Sequence, residues 1–104
     1  MRTAQPEVRG VLKTVVTPFN VGGGSGLARP DIPVIVTPSG ANYTLTFPFG
    51  VQVITGQASA DNVSRAFATG AVAGNQITFA RFITTTGAAE AGGGTAIVAV
   101  RDFR

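Results

Sequence analysis

Apolar and polar residues alternate along this chain in short runs, and glycine or proline cuts each run off. The clearest case places Tyr43, Leu45, Phe47 and Phe49 against Thr44, Thr46 and Pro48. This period-two pattern predicts a strand with one apolar face. Pro48 puts the end of that strand at an edge or a bend, because proline has no N–H to give to a ladder. In residues 77–85 (ITFARFITT), Ile77, Phe79 and Ile83 share one face with Arg81, while Phe82 falls on the other with Thr78, Ala80 and Thr84. Mixed faces of this kind predict contacts on both sides, one within the chain and one with another chain. Tyr43, Leu45, Phe47, Phe49, Ile77 and Phe79 are the expected core, since an aromatic on an apolar strand face gains most from burial. Tyr43, at the start of its strand, is also a candidate surface contact.

Further strands are expected at residues 34–37, 51–55, 65–69 and 95–103, with loops at 56–61 and 87–94 and turns at 38–40 and 73–76. Residues 58–73 hold Gly70 and many Thr, Val and Ser residues, which disfavours any helix beyond one or two turns. Six strand candidates separated by Gly/Pro turns over residues 32–104 predict an all-β, compact antiparallel β-sandwich or jelly-roll-like domain. The first 31 residues read differently. Residues 8–16 (VRGVLKTVV) are β-branched but broken by Gly10, as in an extended arm or an edge strand, and Pro18 ends the run. Gly22-Gly23-Gly24-Ser25-Gly26 has the composition of a flexible linker. Residues 1–31 are therefore expected to be an extended N-terminal arm with a Gly-rich hinge, outside the compact core.

A chain of 104 residues has room for one domain and only modest monomer stability. It contains no Cys and no His, so disulfides, thiolate sites and the commonest metal ligand are excluded. Charged residues make up 12% of the chain, against about 25% in an average soluble domain. None occurs from Ile32 to Ala60. A surface this poor in charge favours association, which predicts a homo-oligomer or a larger assembly. The competing explanation is that Thr, Ser, Asn and Gln solvate the exposed faces. The net charge of +3 is spread thinly, with no basic cluster interleaved with aromatics, so a nucleic-acid partner is not expected. No apolar segment resembles a signal peptide or a membrane span, so a soluble protein made in a cytoplasm is expected.

Candidate chemistry is sparse. The acids are Glu7, Asp31, Asp61, Glu90 and Asp102, and the closest two are twelve residues apart, which rules out a calcium loop of the EF-hand type. Asp102 lies between Arg101 and Phe103, where local charge pairing is the expected role. No Ser has a His to activate it, and no G-x-S-x-G elbow is present. Neither Gly-rich segment has phosphate-loop or dinucleotide spacing. The expectation is a protein that is not an enzyme, with no cofactor and no metal.

The segment Pro38-Ser39-Gly40-Ala41-Asn42-Tyr43-Thr44-Leu45-Thr46-Phe47-Pro48, the Gly-Asn turn with its long strand at 74–85, and the closing Gly-Gly-Gly-Thr-Ala-Ile-Val-Ala-Val together resemble small bacteriophage virion proteins. The likeness is to capsid decoration (cement) proteins and the tips of short fibres. It is one of texture, Cys-free, poor in charge and rich in Ala, Gly, Thr and Val, and it spans about two-thirds of the chain. The resemblance implies trimers of β domains seated between capsid subunits of a virion. The arm would lie over neighbours, with Arg2, Arg9, Lys13 and Arg29 meeting an acidic capsid surface. The alternative within the same resemblance is a tail-fibre or receptor-binding module that recognises the host surface through residues 58–62 and 87–94. Neither loop carries an aromatic to stack on a sugar.

Overall fold

The computed structural model describes residues 10–20, 24–26 and 32–104, which contain eight strands and no helix. In chain order these are β1 (Val11–Phe19), β2 (Gly24–Gly26), β3 (Val34–Ser39), β4 (Asn42–Thr46), β5 (Val51–Ala60), β6 (Arg65–Ala73), β7 (Gln76–Ile83) and β8 (Gly94–Asp102). They form two antiparallel sheets, a small one in the order β1-β8-β5 and a large one in the order β2-β3-β4-β7-β6. The expected all-β antiparallel sandwich is the observed fold. Two hairpins, turning at Gly40-Ala41 and Gly74-Asn75, place a glycine of positive φ (63° and 58°) at the first central position. That is the requirement of a type II′ turn, whose twist matches the flanking strands.

The core lies between the sheets. Tyr43, Leu45, Ile77 and Phe79 are fully buried and Phe47 nearly so, as the alternation predicts. Cross-strand register explains the arrangement, because Tyr43 faces Phe79 and Leu45 faces Ile77 on the inner side of β4 and β7. Phe19 and Tyr43 pack with ring centroids 5.0 Å apart, and Phe67 meets Phe19, Tyr43 and Phe79 edge-on. Such tilted and edge-to-face pairs add about 0.5–1.5 kcal/mol each beyond area burial.

Phe49 departs from expectation. β4 ends at Thr46, and the Val51 N–H donates to the Pro48 carbonyl at 3.0 Å, closing a turn in which Gly50 has φ 91°. Positive φ at that position defines a type II turn, and it rotates Phe49 outward until it is 96% exposed. Alternation in the sequence outlasts the strand that carries it.

The arm is corrected as well. β1 pairs with β8 over nine positions, from Val11↔Asp102 to Phe19↔Gly94. Val15, Thr17 and Phe19 point into the core and are buried. Residues 11–19 therefore belong to the sandwich, as its edge strand, and Pro18 is tolerated because an edge strand has one side free of ladder bonds. Gly24–Gly26 likewise pairs with β3.

β5 also runs further than its apolar pattern. A bulge between Val53 and Thr55 leaves Ile54 unpaired against β8, so Ile54 and Thr55 both face outward and the inward parity passes to Gly56, Ala58 and Ala60. These small residues carry little apolar signal, which is why the sequence reads them as a loop. β6 hides its second half in the same way, behind an irregularity between Thr69 and Val72.

Candidate functional site

Charged side chains gather at the two ends of the sandwich. At one end, β7 carries Arg81 on its inner face, in line with Ile77 and Phe79, and the side chain is 95% withdrawn from solvent, at 5% exposure. Burial of a guanidinium requires partners, and the neighbouring loops supply them. Arg81 Nη2 donates to Asp61 Oδ1 at 2.9 Å, from the β5–β6 loop. Its Nη1 reaches Glu90 Oε1 at 3.3 Å and the carbonyls of Glu90 and Ala91 at 3.3 and 3.2 Å, all from the β7–β8 loop. Arg65 closes the network through a bidentate contact with the Glu90 carboxylate, and the two arginines, Arg65 foremost, hold Glu90 below its ordinary pKa. The Gly92 N–H donates to Tyr43 Oη at 2.8 Å. Gly92 sits flat on the guanidinium, so a Cβ there would lie 2.3 Å from Arg81 Cζ. Residues 87–94, expected to be a loop, are thus bolted to the core through Arg81. Tyr43 is a buried core residue whose hydroxyl serves this loop, not a surface contact.

At the other end the polarity is inverted. Asp102, the last residue of β8, is buried at 7% exposure. Its carboxylate accepts from Arg104 Nε at 2.9 Å, Arg104 Nη2 at 3.0 Å, Lys13 Nζ at 2.9 Å and the Arg104 backbone N–H at 3.0 Å. Arg104 foremost, and then Lys13, hold the Asp102 carboxyl well below the usual carboxylate range. Local pairing at Asp102 is as the sequence suggests, although its partners are Lys13 and Arg104. Lys13, expected to reach a neighbour's acidic surface, is engaged by its own chain. Arg2, Arg9 and Arg29 lie outside the described residues.

Two clefts flank these clusters. One of about 480 Å³ is lined by Phe19, Asn20, Ser59, Asp61, Gly93 and Thr95 beside the Arg81 network. It brings together the β5–β6 and β7–β8 loops, which the sequence names separately. The other, of about 350 Å³, lies between the exposed Phe49 and Phe103. Among the described residues no three Asp, Glu, His or Cys side chains converge as a metal site. All three described side-chain carboxylates are ion-paired.

Between the ends, the outer faces carry almost no charge. On the large sheet Thr44, Thr46, Gln76 and Thr78 point outward, with Thr44 Oγ1 and Thr78 Oγ1 3.1 Å apart and Gln76 Nε2 donating to Thr46 Oγ1 at 3.1 Å. On the small sheet the outward residues include Leu12, Val16 and Ile97, exposed at 63%, 38% and 42%. Arg101 is the single charged side chain that strand parity places on either outer face among the described residues. Arg81 is the residue that sequence reasoning undervalues. Its signal was present, as a cation on the face shared by Ile77, Phe79 and Ile83.

Comparison with family models, curated proteins and solved structures finds no match to this chain.

Proposed function

We propose that this chain is a non-enzymatic structural protein that works by packing against other protein chains, as a decoration (cement) protein that stabilises a bacteriophage head by binding between capsid subunits. One observation carries this reading: the described carboxylates are tied up in ion pairs at the two ends, while among the described residues strand parity puts one charged side chain, Arg101, on the broad outer faces. Surfaces depleted of charge are those that proteins bury against each other. The virion setting rests on the textural resemblance of residues 38–48, 74–85 and 92–100. Binding only to the assembled lattice would stabilise it by mass action, by about 3–4 kcal/mol per site at free concentrations 100–1,000 times Kd. The test is to add purified protein to heads that lack it and follow their thermal disruption. A raised transition with co-sedimentation is expected, and an unchanged transition without co-sedimentation sinks the reading.

A receptor-binding module is favoured by a different observation, the convergence of the β5–β6 and β7–β8 loops around the 480 Å³ cleft. Adsorption of the purified protein to host cells, lost on Asp61→Ala, would favour that role over cement.

A further inference from the structure

We infer that the outer face of the small sheet is a homotypic contact, in which two copies of this chain pack β1-β8-β5 against β1-β8-β5 about a two-fold axis. This rests on the packing role proposed above and names its surface. Register across the sheet arranges the outward side chains in four rows: Leu12–Arg101–Gln52, Thr14–Ala99–Thr55, Val16–Ile97–Gln57 and Pro18–Thr95–Ser59. The rows alternate between bulk and space. A hollow of about 240 Å³ lies over Thr14, Thr55, Gln57, Ile97 and Ala99, next to the projecting Val16.

A two-fold interface must be complementary to itself, so each patch meets its own mate. Consider an axis lying in the interface, crossing the strands at the level of Val98. It sets the strands of the two copies antiparallel and exchanges the first row with the fourth and the second with the third. Ile97 then faces Ala99 of the second copy, Val16 faces Thr14, Leu12 faces Pro18, Arg101 faces Thr95 and Gln52 faces Ser59. Each larger side chain meets a smaller one, which is the interdigitation that packed sheets use. The charge pattern agrees. Among the described residues no acid is on this face, and the axis keeps the two Arg101 residues about 20 Å apart, six residues at roughly 3.4 Å each. An axis along the strands would instead stack Arg101 on Arg101.

The outer face of the large sheet ties up its central polar side chains in pairs, Thr44 with Thr78 and Gln76 with Thr46, and carries Ile35, exposed at 63%, on β3 beside them. The size of the small-sheet face sets the strength of the contact. Nine residues by three strands make a footprint of roughly 30 × 14 Å, on the order of 400 Å². Two such faces remove about 800–900 Å², below the ~1,200 Å² typical of stable interfaces. The contact is therefore a weak one that acts when copies are concentrated on an assembly.

The test uses the full-length protein, which has no cysteine of its own. Sedimentation velocity from micromolar to millimolar concentration should show reversible dimerisation, weakened at least tenfold by Ile97→Lys and unchanged by Thr44→Lys on the opposite face. An equimolar mixture of Ile97→Cys and Ala99→Cys variants should be joined by a short bis-maleimide spanning the roughly 10 Å between packed sheets. A mixture of Thr44→Cys and Thr78→Cys variants should not. A monomer at every concentration overturns the inference, as does association that Ile97→Lys leaves intact or cross-linking that is equal in both mixtures. Heads stabilised by a protein that never dimerises would leave the structural role standing without this contact. Dimerisation without any binding to heads would do the reverse.

Discussion

The two ends of the sandwich solve one problem with opposite charges. At the Arg81 end a buried cation sits in the middle and collects carboxylates and carbonyls from two loops. At the Asp102 end a buried carboxylate sits in the middle and collects Lys13 from β1 and Arg104 from the segment after β8. The partners differ in reach. Arg81 holds segments whose own ties are an isolated bridge between Phe82 and Ala89 and a few backbone hydrogen bonds, such as Ile83 N–H to the Ala88 carbonyl at 2.9 Å, so its contacts are a large share of what orders the β7–β8 loop. Asp102 fastens a strand end that nine β1–β8 pairs already hold in register. The same chemistry is therefore structural at one end and supplementary at the other.

The largest expected effect comes from breaking the Arg81 end. Arg81→Ala should cost about 2–3 kcal/mol, because the buried guanidinium's bonds to the Glu90 and Ala91 carbonyls and to two carboxylates are lost, while the abandoned Asp61 and Glu90 are open enough to rehydrate and limit the penalty. In a domain of this size that lowers Tm by on the order of 10–20 °C, and hydrogen exchange should quicken in residues 87–93 before the strands. If the loop exchanges no faster in the variant, Arg81 is not what holds it.

Acid separates the ends without mutation. Glu90 and Asp102 both have folded pKa values below their ordinary 4.5 and 3.8, so each contributes stability that is present above the unfolded pKa and lost as pH falls through the folded one. Tm should stay flat towards neutrality and decline once pH drops below about 4.5. Glu90→Gln should flatten the onset of that decline, and Asp102→Asn its more acidic part. A wild-type Tm independent of pH between 5 and 2 would contradict both pairings.

The smallest effect has the opposite sign. Thr17, midway between the clusters on β1, is fully buried with no hydrogen-bond partner for its hydroxyl. Thr17→Val keeps the shape and removes the orphaned group, and should raise stability by about 1 kcal/mol, read as a higher denaturant midpoint at unchanged m-value. A lower midpoint would mean that the hydroxyl has a partner after all.

Local patterning was enough to specify the class of fold and most of the core. Alternation at residues 43–47 and 77–83, punctuated by glycine, leaves little choice but strands with one buried face, and Tyr43, Leu45, Phe47, Ile77 and Phe79 are buried where that period puts them. It also placed Arg81 on the apolar side of its strand. What it could not supply was the partner of each element. Whether residues 11–19 hang free or complete a sheet depends on β8, more than seventy positions away in sequence, and no local pattern encodes that pairing. Phe49 left the core because a type II turn at Gly50 overrides parity. Gly56, Ala58 and Ala60 entered it because one unpaired residue, Ile54, shifts which side of β5 faces inward. The charged ends were decided in the same way. Asp61, Arg65, Arg81 and Glu90 all lie within residues 61–90 but not side by side, and only the folding of two loops over the end of β7 brings them within hydrogen-bonding distance, where burial of the cation makes its pairing obligatory.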